Sequence, residues 1–131
     1  MDAPAFENLD LACAKKGKMI AEQPSKELEN LITSALAVLE EQGIYALFLY
    51  LKVHKDKEDI GKTVSKKLHD FLKHTPQQSP LLSGEDMDIF DALQELGRNL
   101  DNLLLARDLV RQSLVYARYH ARVPKMREVQ T

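Results

Sequence analysis

The sequence predicts an all-α fold, a compact bundle of five to six helices, and three observations carry that prediction. Apolar residues recur at three- and four-residue intervals along most of the chain, the spacing that lines one face of a helix. Only five glycines and five prolines interrupt the 131 residues, and tryptophan is absent, while Leu, Ala, Glu and Lys are plentiful. The one stretch rich enough in apolar and aromatic residues to form a strand, Ile44 to Val53, has no second stretch to pair with, and a lone strand leaves its backbone groups unsatisfied.

Length and composition bound the class. A chain of 131 residues fits one domain spanning residues 1–131 and buries roughly two-thirds of its unfolded surface without metal or disulfide. Hydrophobic residues at 44% and charged residues at 29% give the balance of a globular protein, not a disordered one. Cys13 is the single cysteine, so an intrachain disulfide is excluded and a reducing, cytoplasmic setting is expected. Met1 to Glu7 has an acid and a proline where a secretory signal has a basic start and a long apolar run. The most apolar stretch, Ile44 to Leu51, is far shorter than the ~20 residues a bilayer needs, so no membrane partner is expected.

The first helix is expected from about Pro4 to Ala21, with Phe6, Leu9, Cys13 and Ile20 on related faces; proline suits a first turn, whose N–H is open anyway. Gly17 interrupts it. After Gln23-Pro24-Ser25 a second helix covers Ser25 to Gln42, where Leu28, Leu31, Ile32, Ala35, Leu36 and Leu39 make one stripe. Gly43 is placed to end it with a backbone that costs glycine little. Ile44 to Val53 reads as a buried helix, followed by an amphipathic one from Asp56 to His74. Thr75 to Leu82, with Pro76 and Pro80, is a loop. Ser83 before Gly84-Glu85-Asp86 opens an acidic helix over about Glu85 to Leu96, since a serine oxygen accepts from an open N–H and acids favour the positive end of the dipole. Gly97 breaks or bends the chain before a long helix from Asn99 to Val123, which Pro124 closes, leaving a frayed tail at 124–131.

Residue types that invite a catalytic or metal reading do not assemble into one. His69 and His74 are five apart, out of line on a helix where a separation of four would align them. His69-Asp70 lacks the further His and Asp ligands of a phosphohydrolase, and in Arg118-Tyr119-His120 the arginine and histidine are too close for the motif of helical ribonucleases. Cys13 sits on an apolar face without a nearby histidine, which fits burial better than nucleophilic use. Gly61-Lys62-Thr63 is a fragment of a phosphate loop inside a helix. Tyr45, Phe48 and Tyr50 have the look of a stacking platform, but in an apolar run they belong to the core, as do Tyr116 and Tyr119. Neither a catalytic residue nor a cofactor is expected.

Two basic rows remain. On the helix from Asp56 to His74, Ile60, Val64, Leu68, Phe71 and Leu72 fill an arc of about 120°. On the opposite side Lys62, Lys66 and Lys73 lie within about 40° of one another, with His69 beside them and Lys55 joining if the helix extends back, while Asp59 and Asp70 border the row. On the last helix Arg107, Arg111, Arg118 and Arg122 collapse onto an arc of about 60°, and the row is about 22 Å long; Leu105, Leu109, Tyr116 and Val123 point the other way, and Asp108 is the one nearby acid. Such rows suit phosphodiester backbones, because lysine and arginine displace condensed counterions and arginine grips a phosphate with two N–H groups. A solvated face laced with ion pairs one turn apart is the competing account, and an anionic protein surface a third.

Small size, helices alone, outward basic rows and the glycine between two helices in Glu40-Glu41-Gln42-Gly43-Ile44-Tyr45-Ala46-Leu47-Phe48-Leu49 together resemble the small subunits of CRISPR effector complexes of the type I and type III systems, over about Ser25 to Val123. The resemblance implies a bundle that stacks in several copies along a ribonucleoprotein, beside other subunits of the complex. It implies contact with the guide RNA and with the target or displaced strand, through Lys62, Lys66, Lys73, Arg107, Arg111, Arg118 and Arg122, and no nuclease role. A net charge of −2 and the acidic stretch Glu85, Asp86, Asp88, Asp91 and Glu95 depart from a strongly basic member. A helical protein-protein interaction adaptor that binds no nucleic acid is the alternative.

Overall fold

The computed structural model describes residues 7–56, 58–83 and 87–130, with side chains in the last helix as far as Arg122. Among the described residues there are six helices and no strand: α1 (Leu9–Ile20), α2 (Lys26–Gln42), α3 (Ile44–Val53), α4 (Ile60–His74), α5 (Ile89–Leu96) and α6 (Leu100–Gln130). α6 is the spine, flanked chiefly by α1 and α2, while α3 bridges α2 and α4.

Local chemistry sets the boundaries. α1 starts later than expected, because the Asn8 side chain accepts from Leu11 N at 3.0 Å and so caps the helix there; Pro4 and Phe6 lie outside the described residues. Ser25 caps α2 as expected, its Oγ accepting from Leu28 N at 3.0 Å. Gly43 then carries φ 98° and ψ −178°, a region essentially reserved for glycine, so α3 leaves α2 at a sharp turn. α4 begins at Ile60, not at Asp56. Asp59 adopts a left-handed conformation, and the Asp56 carboxylate reaches forward to Ile60 N at 2.9 Å, so the chain from Asp56 to Asp59 serves as the cap. Lys55 therefore does not continue the helical row.

α5 begins at Ile89, where the Asp88 side chain accepts from Phe90 N at 3.1 Å and takes the capping role expected of Ser83; Gly84, Glu85 and Asp86 lie outside the described residues. Asn99 caps α6 through Asn102 N at 3.1 Å. Instead of closing at Pro124, α6 continues to Gln130. A proline inside a helix removes one N–H donor, and the turns on either side keep their own bonds.

The main core lies between α2, α3, α4 and α6, with Ile32, Leu39, Leu47, Phe48, Leu51, Leu68, Leu72 and Leu114 fully buried. A smaller cluster of Cys13, Phe71 and Leu109 joins α1, α4 and α6. Burial pushes the Cys13 thiol up from its ordinary value, which makes it a packing group. No described helix is long and apolar enough to cross a membrane.

Candidate nucleic-acid interface

α4 carries its apolar residues inward, and Val64, Leu68, Phe71 and Leu72 are buried as the spacing predicts. Lys62 and Lys66 are consequently exposed and Lys73 half-buried. None of the three has an ion-pair or hydrogen-bond partner among the described residues. The lysines that are engaged lie elsewhere: Lys67 donates to Met19 O at 2.7 Å, and Lys16, buried between α1 and α4, sits 3.8 Å from Asp70 and 5.8 Å from the Phe71 ring centroid. These two tie α1 to α4 and take no part in the outer row.

The arginine row is differently placed. Arg107 lies 3.7 Å from Glu40, Arg111 donates from Nε to the same carboxylate, and Arg122 donates to Glu29 at 2.8 Å. Glu29 also stands 3.8 Å from Lys26. Three of the four guanidinium groups thus reach across to acids of α2, and Arg118 alone has no such partner among the described residues. The expectation that Asp108 was the acid near enough to neutralise the row is corrected: the neutralising acids come from a helix packed alongside, some 70 to 90 residues away in the chain.

Helical spacing alone does not reveal a further group of lysines, which stands among Asp56, Asp59 and Asp88. An open groove of about 630 Å³ lies where α3 meets the starts of α4 and α5, and Lys52, Lys55 and Lys62 stand around it. Lys55 and Lys62 have no partner among the described residues, while Lys52 Nζ rests 5.2 Å from the centroid of the Phe90 ring. Tyr45 meets the same ring at 5.2 Å, tilted by 59°. Phe48, in contrast, is fully buried, so the aromatics of α3 divide between core and surface. Lys52 sits within an apolar run one turn after Phe48, at the border of the buried face of α3, so the run itself gives no signal that its ammonium reaches a groove.

Asp56 anchors one end of this groove. Its carboxylate accepts from Glu58 N at 3.0 Å and from Ile60 N at 2.9 Å, and His54 Nε2 lies 3.5 Å away. The N–H of Ile60 is the main reason its pKa falls below the ordinary 3.8, with burial opposing and the other backbone N–H groups and His54 assisting. A carboxyl whose folded-state pKa lies below its unfolded one stabilises fully above the unfolded value, and that contribution is lost as pH falls through the folded one. Asp56→Ala is therefore expected to melt below the parent by a constant margin from pH 7 down to about 5. The margin should close in the acid range beneath 3.8, as thermal scans against pH would show; a margin that persists there refutes the cap.

Among the described residues no group of three His, Cys, Asp or Glu side chains is placed to hold a metal ion. Comparison with protein-family models, with curated proteins and with solved structures returns no match to this chain, so its own side chains must carry the functional reading.

Proposed function

We propose that this protein is a non-catalytic small subunit of a CRISPR RNA-guided effector complex that steadies the guide with its target, or the displaced strand, by sequence-independent phosphate contacts, working in several copies beside the other subunits. The observation that supports this is the set of unpaired lysines on the outer face of α4. Lys62 and Lys66 stand in solvent with Lys73 on the same face, and Lys55 lies beside Lys62 at the groove. Ammonium groups without carboxylate partners are the ones that gain most from displacing counterions on a phosphodiester. Arg118 joins them, whereas Arg107, Arg111 and Arg122 contribute only by exchanging Glu40 or Glu29 for a phosphate, which reduces their net gain.

The second reading, an adaptor that binds protein, draws on the exposed apolar side chains Tyr45, Leu49 and Val53 along α3. Anisotropy titrations of a labelled single-stranded 20-mer of RNA or DNA between about 50 and 200 mM salt separate the two. The first reading predicts affinity that falls steeply with salt. Replacing Lys62, Lys66 and Lys73 together by Gln should reduce the log–log slope by about 2 and weaken low-salt binding about tenfold or more. Arg111→Gln should change it little. No binding at about 50 mM salt, or a triple variant that binds like the parent, would overturn the nucleic-acid reading.

A further inference from the structure

The groove between α3, α4 and α5 sets three lysines among three aspartates, and an aromatic ring lies within it. We infer that it holds one unpaired nucleotide, with the phosphate on Lys55 and Lys62 and the base on the Phe90 ring; this rests on the phosphate-binding reading of α4 and specifies what kind of strand is bound.

Size and chemistry both select that occupant. A space of about 630 Å³ falls in the range of small-ligand clefts. Its apolar side is Phe48, Ile89 and the half-buried Phe90, and its rim is Lys52, Lys55 and Lys62. Three acids also line it, but two are committed. Asp56 accepts from Ile60 N at 2.9 Å and Asp88 from Phe90 N at 3.1 Å, and the positive helix ends they cap offset their charge. Asp59 makes no side-chain cap bond, which leaves it as an acceptor for a base N–H at the groove edge.

Lys52 links the two halves of the site. Its ammonium now covers the Phe90 ring at 5.2 Å, an attraction that is weak where water has access. A phosphate arriving at Lys55 and Lys62 offers that ammonium a charge-assisted hydrogen bond, the stronger of the two interactions. As Lys52 moves to the phosphate it uncovers the ring for the base, while Tyr45, tilted against the same ring, holds Phe90 in place. A base inside a duplex keeps both faces against its neighbours and has none to offer Phe90, so the groove favours an unpaired segment.

The test compares three probes of equal phosphate count per strand, by anisotropy at low salt: a ten-nucleotide oligouridylate, the same strand without bases, and a ten-base-pair RNA duplex. The oligouridylate should bind at least about fivefold tighter than the abasic strand, the minimum expected of one stacked base. Phe90→Leu, which keeps an apolar side chain, loses the Tyr45 ring contact and should melt a few degrees below the parent, but at a temperature where it is fully folded it should abolish that gap while leaving the abasic strand and the duplex unchanged. Equal binding of both single strands by the parent protein would overturn the nucleotide site and leave the phosphate reading intact, and this comparison needs no variant. A gap that survives Phe90→Leu also overturns it, as does a decaglutamate peptide that binds more tightly than the oligouridylate and so marks an acidic protein partner. Absence of binding to every nucleic-acid probe removes the phosphate reading itself.

Discussion

Gly17→Val should destabilise the protein by about 2–3 kcal/mol or more and lower its melting temperature by roughly 10 °C. At Gly17 α1 and α6 come so close that a Cβ would lie 2.6 Å from Tyr116 Cβ, 2.8 Å from Ala117 N and 2.8 Å from Ser113 O. Two of these are backbone atoms in the middle of α6, so relief requires moving a helix and not a side-chain tip. Valine adds two methyl groups to that collision. The shift would pull apart Cys13 and Leu109, which seal the second core cluster, and Tyr116, which donates to Asp10 at 2.8 Å. Gly97→Ala is the matched control. A Cβ there finds its nearest neighbour at 3.4 Å, and Gly97 has φ −62°, so alanine fits without strain and should melt at or slightly above the parent. Urea titrations of the two variants check the contrast, with an equal loss in both as the outcome that refutes it.

That glycine also shows which parts of the molecule could be read from the sequence. The periodic stripes of α2 and α4 placed Leu28 to Leu39 and Val64 to Leu72 in the core correctly, because a helix that buries one face must repeat its apolar residues every turn; on α6 Leu109 is buried as expected, but the main core is met by Ala106, Val110, Leu114, Ala117 and Ala121, which lie close to the arginine side. Gly17 looked like an interruption of α1, since helical propensity counts what a residue does to its own helix. The approach of α6 that requires it is a tertiary fact. Boundaries moved for a related reason: at α1, α4 and α5 the caps are Asn8, Asp56 and Asp88, and several polar residues near each start could have served. The basic rows shared faces as expected, but a wheel drawn on α6 contains only the acids of α6. Glu40 and Glu29, which hold three of its arginines, belong to α2, and their separation along the chain hid them. The groove was hidden in the same way, since Lys52, Lys62 and Phe90 come from three helices.

Phe48→Ala is expected to cost about 3–5 kcal/mol, the largest effect of any single truncation considered. Phe48 is the largest of the fully buried side chains, and removing its ring leaves a void that the surrounding leucines of α2, α3 and α4 fill only in part. Tyr45, one turn earlier on α3, is 38% exposed and touches Phe90 through a tilted ring contact at 5.2 Å. Tyr45→Ala should therefore cost only about 1 kcal/mol, the worth of an aromatic pair with a little burial. Denaturant midpoints at unchanged m-value measure both, and similar losses in the two variants would contradict the division of α3 into an inner and an outer face. The same division bears on binding. Tyr45→Ala leaves the fold in place and frees the Phe90 ring to turn, so at full folding it should weaken oligouridylate more than the abasic strand. One helix thus supplies the core with Phe48 and the groove with Lys52 and Tyr45, which flank Phe48 one turn away on either side.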